Sequence, residues 1–449
     1  MASVIKLRKG LNINLKGKAT EKKMVVGRSE EYALSPLDFP GIIPKVAVKE
    51  GDRVLAGDPL FYSKKCPDVK FASPVSGVVS AVVRGERRKV LFVKIKADDK
   101  QEFRDYGKAD PVGLTGEGVK AKLLEAGIFG YINQLPYAVS TSPMTTPKGV
   151  FISAIRDMPL AADFEVELRG NEQAFSTGIE ALSKIAPVHL GISVRQSDGF
   201  LSKICGAQVH VFDGPCPTGN VGVQINHISP INKNEVAWTV DPTVVIFIGR
   251  LFLTGRVDLI RTIAVAGSQV KEPSYADAII GIQLKDILDG KLANEDHIRI
   301  INGNPLTGRK DSLDGYLGAH TSEVTVIPEG DDVDEILGWI LPRTNQFSIS
   351  RSYFSWLMPK KSYDLDARIK GGERHIIMSG EYDKVLPMDI CAEYLIKAII
   401  SGDIDKQEQL GIYEVSPEDF AVAEFVDSSK LPLQKIVRDG LDVLIKENA

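Results

Sequence analysis

The spacing of apolar and polar positions changes period several times along the chain, and those changes divide it. Residues 39–80 (FPGIIPKVAVKEGDRVLAGDPLFYSKKCPDVKFASPVSGVVS) alternate in short runs cut by Gly51-Asp52, Gly57-Asp58, Pro74 and Gly77, which predicts small antiparallel strands. Val78–Lys96 continues as a hairpin turning at Arg84-Gly85-Glu86. A helical period then appears at residues 118–126, where Gly127 can end it. It returns at Glu172–Ile185, with Phe175, Ile179, Leu182 and Ile185 on one face. Between and after these helices, strands are predicted at Val150–Ile155, Val188–Val194, Ala207–Phe212 and Val244–Ile248. Strands alternating with helices imply a parallel sheet in a Rossmann-like layer arrangement. From Thr262 the order is strand, strand, a short helix near Gly281–Leu288 and a strand at Arg299–Gly303. Beyond Gly380 the reading is helical, over Leu386–Ser401, Pro417–Glu424 and Leu433–Lys446.

The fold class is therefore α/β and α+β multidomain. Expected boundaries are 1–100 for the alternating strands, 101–258 for the parallel layer, 259–330 for the next mixed unit and 331–449 for the largely helical end. A chain of 449 residues exceeds what one core serves, which agrees with several units. A net charge of -4 with scattered Lys and Arg predicts no nucleic-acid partner. No apolar run approaches the roughly 20 residues of a membrane span, and the first residues lack a secretory signal, so membrane contact is expected only through partners. Cys66, Cys205, Cys216 and Cys391 lie far apart with no C-x-x-C, which supports neither a zinc ribbon nor an iron–sulfur cluster and predicts free thiols.

The stretch Gln208–His227 (QVHVFDGPCPTGNVGVQINH) is the natural centre of a functional reading. Val209, Val211 and Phe212 make a strand, Gly214, Pro215, Pro217 and Gly219 break it, and Val221, Val223, Ile225 and Ile228 restart order. Loops at the carboxyl ends of parallel strands form the crevice where ligands or partners dock. This loop carries no nucleophile–base pair and no metal set, so no catalytic and no metal-binding residues are assigned. His189 and His210 read as isolated structural histidines, and His227 is kept as a candidate because it adjoins the loop. No G-x-G-x-x-G opens a helix, and Gly303–Ser312 only imitates a phosphate-binding loop, with Arg309 in place of its lysine; a β-hairpin is expected there. Phe354, Trp356, Leu357 and Met358, after the acidic run Asp331–Glu335 and Ile336–Trp339, form an aromatic stretch that suits either docking or core packing.

Several strings carry a resemblance. V-x-E-G-D-x-V-x-x-G-x-x-L with S-P-V-S-G-V-V resembles a biotinyl/lipoyl-type barrel-sandwich domain. Lys64 and Lys65 lack the flanks of a modified lysine, so an unmodified structural domain is expected. The stretch from Arg261 resembles a β-grasp domain of the soluble-ligand-binding class. GPCPTGNVGVQINHI and IGRLFLTG resemble the NqrA family, the A subunit of the bacterial sodium-translocating NADH:quinone oxidoreductase, over nearly the whole chain. At Gly127–Tyr137 the related flavoprotein subunits, RnfC and the NADH-oxidising subunit of respiratory complex I, carry a G-x-G-G-A-G-F-P loop around flavin mononucleotide. Here Tyr131, Ile132, Asn133, Gln134 and Leu135 stand instead. A backbone approaches phosphate closely only where side chains are absent, so flavin binding is expected to be lost.

The resemblance implies a peripheral subunit on the cytoplasmic side of the bacterial inner membrane, part of an NADH:quinone reductase (Na+-transporting). That enzyme is a translocase, and the chain in isolation is expected to be inactive. Its partners would be the other subunits, especially the membrane-embedded B subunit, which with the rest would hold the flavins and the iron–sulfur centre. The chain itself is expected to bind no redox cofactor and to associate with ubiquinone, for which Tyr131, Asn133, Gln134, Pro136, Tyr137 and His227 are the candidates. Where RnfC carries cysteine runs for clusters in its C-terminal region, only Cys391 remains, which predicts a cluster-less ferredoxin-like end. The alternative reading is an FMN-dependent NADH-oxidising or RnfC-like electron-transfer subunit.

Overall fold

A computed structural model describes residues 3–333, 345–349, 351 and 353–448. Residues 31–97 form two facing antiparallel sheets. One orders Glu31–Leu34, Val90–Ala97, Gly77–Arg84 and Arg53–Val54; the other orders Pro44–Val46, Pro59–Ser63 and Lys70–Ala72. Strand alternation sends Val93 and Ile95 inward and Lys94 and Lys96 outward, while Phe61 and Phe71 stack in the core at 4.7 Å between ring centroids.

The residues ahead of Glu31 also pair with strands outside this unit. Val4–Lys6 pairs in parallel with Gln208–Asp213, and Thr20–Met24 pairs in parallel with Ser274–Ile279. The first segment is thus distributed over two other sheets, each of which it closes at an edge. Short polar strands such as TEKKM carry too little periodicity to reveal this in sequence.

The second unit is a seven-stranded sheet in the order Val4–Lys6, Gln208–Asp213, Val188–Ser193, Val150–Ser153, Ala237–Thr239, Asn133–Leu135 and Val139–Ser140. The first five are parallel; the last two form an antiparallel edge hairpin. Val244–Ile248 is not a strand. It is the middle of the helix Pro242–Thr254, begun by Asp241, whose carboxylate accepts from the Thr243 amide, and ended by Gly255 at φ 73°. The helix is apolar nearly all round because it is buried, packed closely on the helix Glu172–Ser183, and an all-apolar run has no period by which to tell helix from strand.

His189 and His210 are not isolated either. Adjacent parallel strands bring His189 Nδ1 within 3.0 Å of His210 Nε2, beside Phe151.

A third, six-stranded sheet orders Arg309–Asp311, Ile298–Asn302, Glu323–Pro328, Ile260–Ala266, Ser274–Ile279 and Thr20–Met24, with the short helix Leu284–Leu288. Gly303–Gly308 is the turn of an antiparallel hairpin, so the phosphate-loop likeness there has no helix to open.

The C-terminal end packs helices Ala392–Ser401, Ile404–Gln409, Ala421–Val426 and Leu433–Glu447 around Leu395, Phe420 and Leu441. The helix expected from Leu386 starts later, at Ala392, because Pro387 pushes Leu386 out of the helical region. Phe354, Trp356 and Leu357 of the aromatic stretch are exposed rather than packed in the core. Residues 334–339 lie outside the described ones. Among the described residues, no helix is long and apolar enough to cross a membrane.

Candidate functional site

The carboxyl ends of Val150–Ser153 and Ala237–Thr239 lie side by side where chain connections diverge: Val188–Ser193 and Gln208–Asp213 extend the sheet to one side, Ala237–Thr239 to the other. Such a switch point leaves a crevice that no crossover fills. Here it is a cleft of about 620 Å³ with walls from every unit of the chain. Ser153, Ile155, Arg156, Asp157, Thr239 and Asp241 come from the strand ends, and Gly219 and Asn220 from the GPCPTGN loop. Asn302–Asn304 and His320–Glu323 come from the six-stranded sheet, Ser416–Glu418 and Arg438 from the C-terminal end, and Asp38 and Pro40 from the N-terminal unit.

Beneath the cleft lies a buried ion network. Arg156, with a side chain 10% exposed, donates to Glu167 at 3.2 Å, to the Thr243 hydroxyl at 2.8 Å and to Asp241 at 3.4 Å. The Thr243 hydroxyl donates in turn to Glu167 at 2.7 Å. From the other sheet, Arg261 donates to the Ser322 hydroxyl at 2.7 Å and to the Ala319 carbonyl at 3.2 Å. Burial alone would push the Asp241 carboxyl up, but the two guanidinium groups hold it below its ordinary range. Glu323, whose carboxylate accepts from the Ala162 amide, is pushed up by burial.

Three groups on the wall contain polar atoms with no hydrogen-bond partner among the described residues: Asn133 Oδ1, Asp157 Oδ1 and His320 Nε2. The other oxygen of Asp157 accepts from the Gly219 amide at 2.9 Å, and burial raises this carboxyl to about 6. Burial lowers His320 to about 4, so its ring is neutral at pH 7. Leu135, Ala138, Ile155, Met158 and Val240 supply apolar wall between these groups.

Of the six residues singled out in the sequence, Asn133 lines the cleft. Tyr131 lies behind it, fully buried, with its ring 5.6 Å from His320 and its hydroxyl without a partner among the described residues; burial raises that phenol well above its ordinary value. Gln134 is turned aside, where it accepts from the Thr141 hydroxyl at 2.9 Å. Pro136 follows a cis bond in the edge hairpin, and Tyr137 meets Tyr413 edge-on at 6.2 Å. His227 is exposed at the end of the helix Val221–Ile228, with Nδ1 donating to the Val223 carbonyl at 2.9 Å. The structure therefore joins Tyr131 and Asn133 at the cleft and disperses the other four.

The residues at 128–132 do not fit a flavin phosphate. Phe129, Tyr131 and Ile132 fill the interior, and the amides of Tyr131 and Ile132 donate to the Ile128 and Phe129 carbonyls, each at 3.0 Å. A phosphate cradle needs those amides free.

Arg156, Asp157, Asp241, Glu323 and His320 went unnoticed in the sequence. Arg156-Asp157 and Asp241 each follow a parallel strand directly, so the crevice rule applied to Val150–Ser153 would have found them. His320 and Glu323 come from a different sheet, and no local pattern marks them.

Fold and site together define a multidomain α/β protein with a barrel-sandwich domain in front and a shared polar cleft where its units meet. Family models agree: "NqrA N-terminal barrel-sandwich hybrid domain" matches residues 5–98, "NqrA second alpha/beta domain" 114–257, and "NQRA C-terminal domain" 262–312. The A subunit of the Na(+)-translocating NADH-quinone reductase of Neisseria meningitidis serogroup B is 32% identical over 448 residues, which is 99% of this chain and 100% of the relative. That of Haemophilus influenzae is 34% identical over 451 residues, again 99% and 100%, and that of Cellvibrio japonicus 33% identical over 98% of each chain. The chain belongs to the NqrA family, the A subunits of the Na(+)-translocating NADH-quinone reductase. A likeness to an NAD+-reducing hydrogenase crystal structure covers 41% of each chain at a TM-score of 0.32 and 11% identity, too slight to carry an argument.

Proposed function

We propose that this chain is the peripheral, cytoplasm-facing NqrA component of a sodium-translocating NADH:quinone reductase, docked on the membrane-embedded B subunit, and that it holds a quinone head group without carrying a redox cofactor of its own. Relatives covering its full length are named as the A subunit of that enzyme, which supports the assembly. The quinone reading rests on one observation: Asn133, His320 and Asp157, on the wall of the cleft, each hold a buried polar atom with no hydrogen-bond partner among the described residues, and Leu135, Ala138, Ile155, Met158 and Val240 add apolar surface to the same wall. A quinone head group is flat and apolar with two carbonyl acceptors. The Asn133 carboxamide, turned to present its NH2, and a neutral His320 N–H are donors of the right kind for those carbonyls, and Tyr131 backs the His320 ring. Flavins and the iron–sulfur centre belong, in this reading, to partner subunits.

Photo-crosslinking with an azidoquinone in the assembled complex, followed by peptide mapping, tests it. Labels within residues 130–137, 153–158 or 214–227 are expected. Labels confined to other subunits would overturn the local quinone site, and stoichiometric flavin in the purified chain would overturn the cofactor-free reading.

A further inference from the structure

On the barrel-sandwich unit the chain builds a second concavity, of about 640 Å³, which shares no lining residue with the cleft. Its floor is a row across three antiparallel strands. Lys45 registers with Tyr62, and Tyr62 with Lys70, so the two lysines flank the aromatic ring on one face of the sheet. Neighbouring strands stand about 4.8 Å apart, which puts the lysine backbones about 10 Å from each other with Tyr62 between them. The Lys45 ammonium is 5.5 Å from the centre of the Tyr62 ring. The adjacent row, Val46, Phe61 and Phe71, faces the opposite way, with both phenylalanines wholly buried. Lys64, at the start of the turn between the second and third strands, adds a third positive charge, and Pro44 and Pro67 close the walls with apolar surface.

Three positive charges meet here on a chain whose net charge is -4, and among the described residues no acidic side chain lines the groove. The one carboxylate in the turn, Asp68, is not part of its lining. Lys45 is met by the Tyr62 ring and by no carboxylate in the groove, and three ammonium groups gathered without a carboxylate make a positive potential that a bound anionic group would offset. The shape narrows the choice. A bilayer is flat and meets protruding surfaces, whereas this trough is concave and presents a ring and prolines at its base, which suits a polypeptide laid along it.

We infer that this groove is a docking site for an acidic segment of a partner subunit, with carboxylates on Lys45, Lys64 and Lys70 and an apolar side chain over Tyr62. The inference rests on the reading of the chain as a subunit of a larger complex. It explains why Lys64 and Lys65 occupy a carrier-type hairpin without carrier-type flanks: the hairpin contributes charge to a protein contact.

The test is chemical footprinting of the assembled complex against the isolated chain. Acetylation of Lys45, Lys64 and Lys70 by an N-hydroxysuccinimide ester is expected to slow about tenfold on assembly, and a carbodiimide is expected to couple at least one of them to an Asp or Glu of a partner. The variant K45E/K64E/K70E, folded by circular dichroism, is expected to lose partner retention about tenfold or more at low salt, while K45R/K64R/K70R retains it. Equal acetylation in both states without a carbodiimide product overturns the groove alone. Protection of the isolated chain by phosphatidylglycerol vesicles, with none from the partner subunits, makes the occupant a lipid surface and overturns the polypeptide. A wild-type chain recovered with no partner contradicts the subunit reading itself.

Discussion

At the scale of single residues, two cleft groups titrate in opposite senses. Asp157 is held at about 6, above its ordinary 3.8, so the folded chain binds its proton more tightly than the unfolded chain does. Its contribution to stability is fully present below pH 4 and is lost as pH rises through about 6. His320 is held at about 4, below 6.5, so its contribution is present above pH 6.5 and is lost as pH falls through about 4. The two slopes oppose each other across roughly pH 4 to 6.5. Asp157→Asn is therefore expected to raise stability at pH 7 by about 1–3 kcal/mol and to expose a steeper loss toward acid, while His320→Gln gives a protein whose stability declines as pH rises. Urea midpoints measured from pH 4 to 7.5 check both, and unchanged slopes would contradict the assigned burial. Arg156 acts differently, since Glu167 is only 3% exposed and has its charge balanced there. Arg156→Met leaves that carboxylate buried without its cation and is expected to cost about 3–5 kcal/mol, read as an earlier unfolding transition in urea.

At the scale of elements, the helices Glu172–Ser183 and Pro242–Thr254 cross at a distance set by two glycines. A Cβ on Gly249 would meet the Ala174 carbonyl oxygen at 1.7 Å, and one on Gly178 the Val245 carbonyl oxygen at 2.1 Å. Neither obstacle is a flexible side chain, so the helices must part. Gly249→Ala and Gly178→Ala are each expected to cost about 3 kcal/mol or more, despite alanine's better helix propensity, whereas Gly113→Ala, with open space around its Cβ, is expected to be near neutral. Thermal unfolding of the three variants checks the contrast. The glycine in IGRLFLTG was visible in the sequence, but its role was not: the run around it reads equally as a buried strand, and only the facing helix shows why a side chain is excluded. The loop GPCPTGN was more legible. Its glycines and prolines marked the end of Gln208–Asp213, and Gly219 indeed brings its amide to Asp157. Asn133, singled out because amide and aromatic side chains stand where a glycine run was expected, lines the cleft, whereas His227, chosen for its nearness to the loop in sequence, lies exposed at a helix end.

At the scale of the whole molecule, the opening segment ties two sheets together. Val4–Lys6 completes the edge of the parallel sheet and Thr20–Met24 that of the six-stranded sheet, while the cleft between those sheets is spanned by Arg156, Thr243, Arg261 and Ser322. Removing residues 1–24 is expected to speed amide exchange in Gln208–Asp213 and Ser274–Ile279 while leaving Val90–Ala97 protected. Hydrogen exchange with mass spectrometry checks this, and a loss of protection confined to residues 31–97 would contradict the two edge pairings. Periodicity, glycine and proline punctuation and a handful of specific strings sufficed, by themselves, to set the succession of antiparallel, parallel, mixed and helical units, because those signals depend on residues near one another in the chain. Where the opening strands pair, which apolar run is helix, and which polar groups share the cleft were decided only by tertiary structure, because each depends on residues up to hundreds of positions apart whose burial and pairing no local pattern encodes.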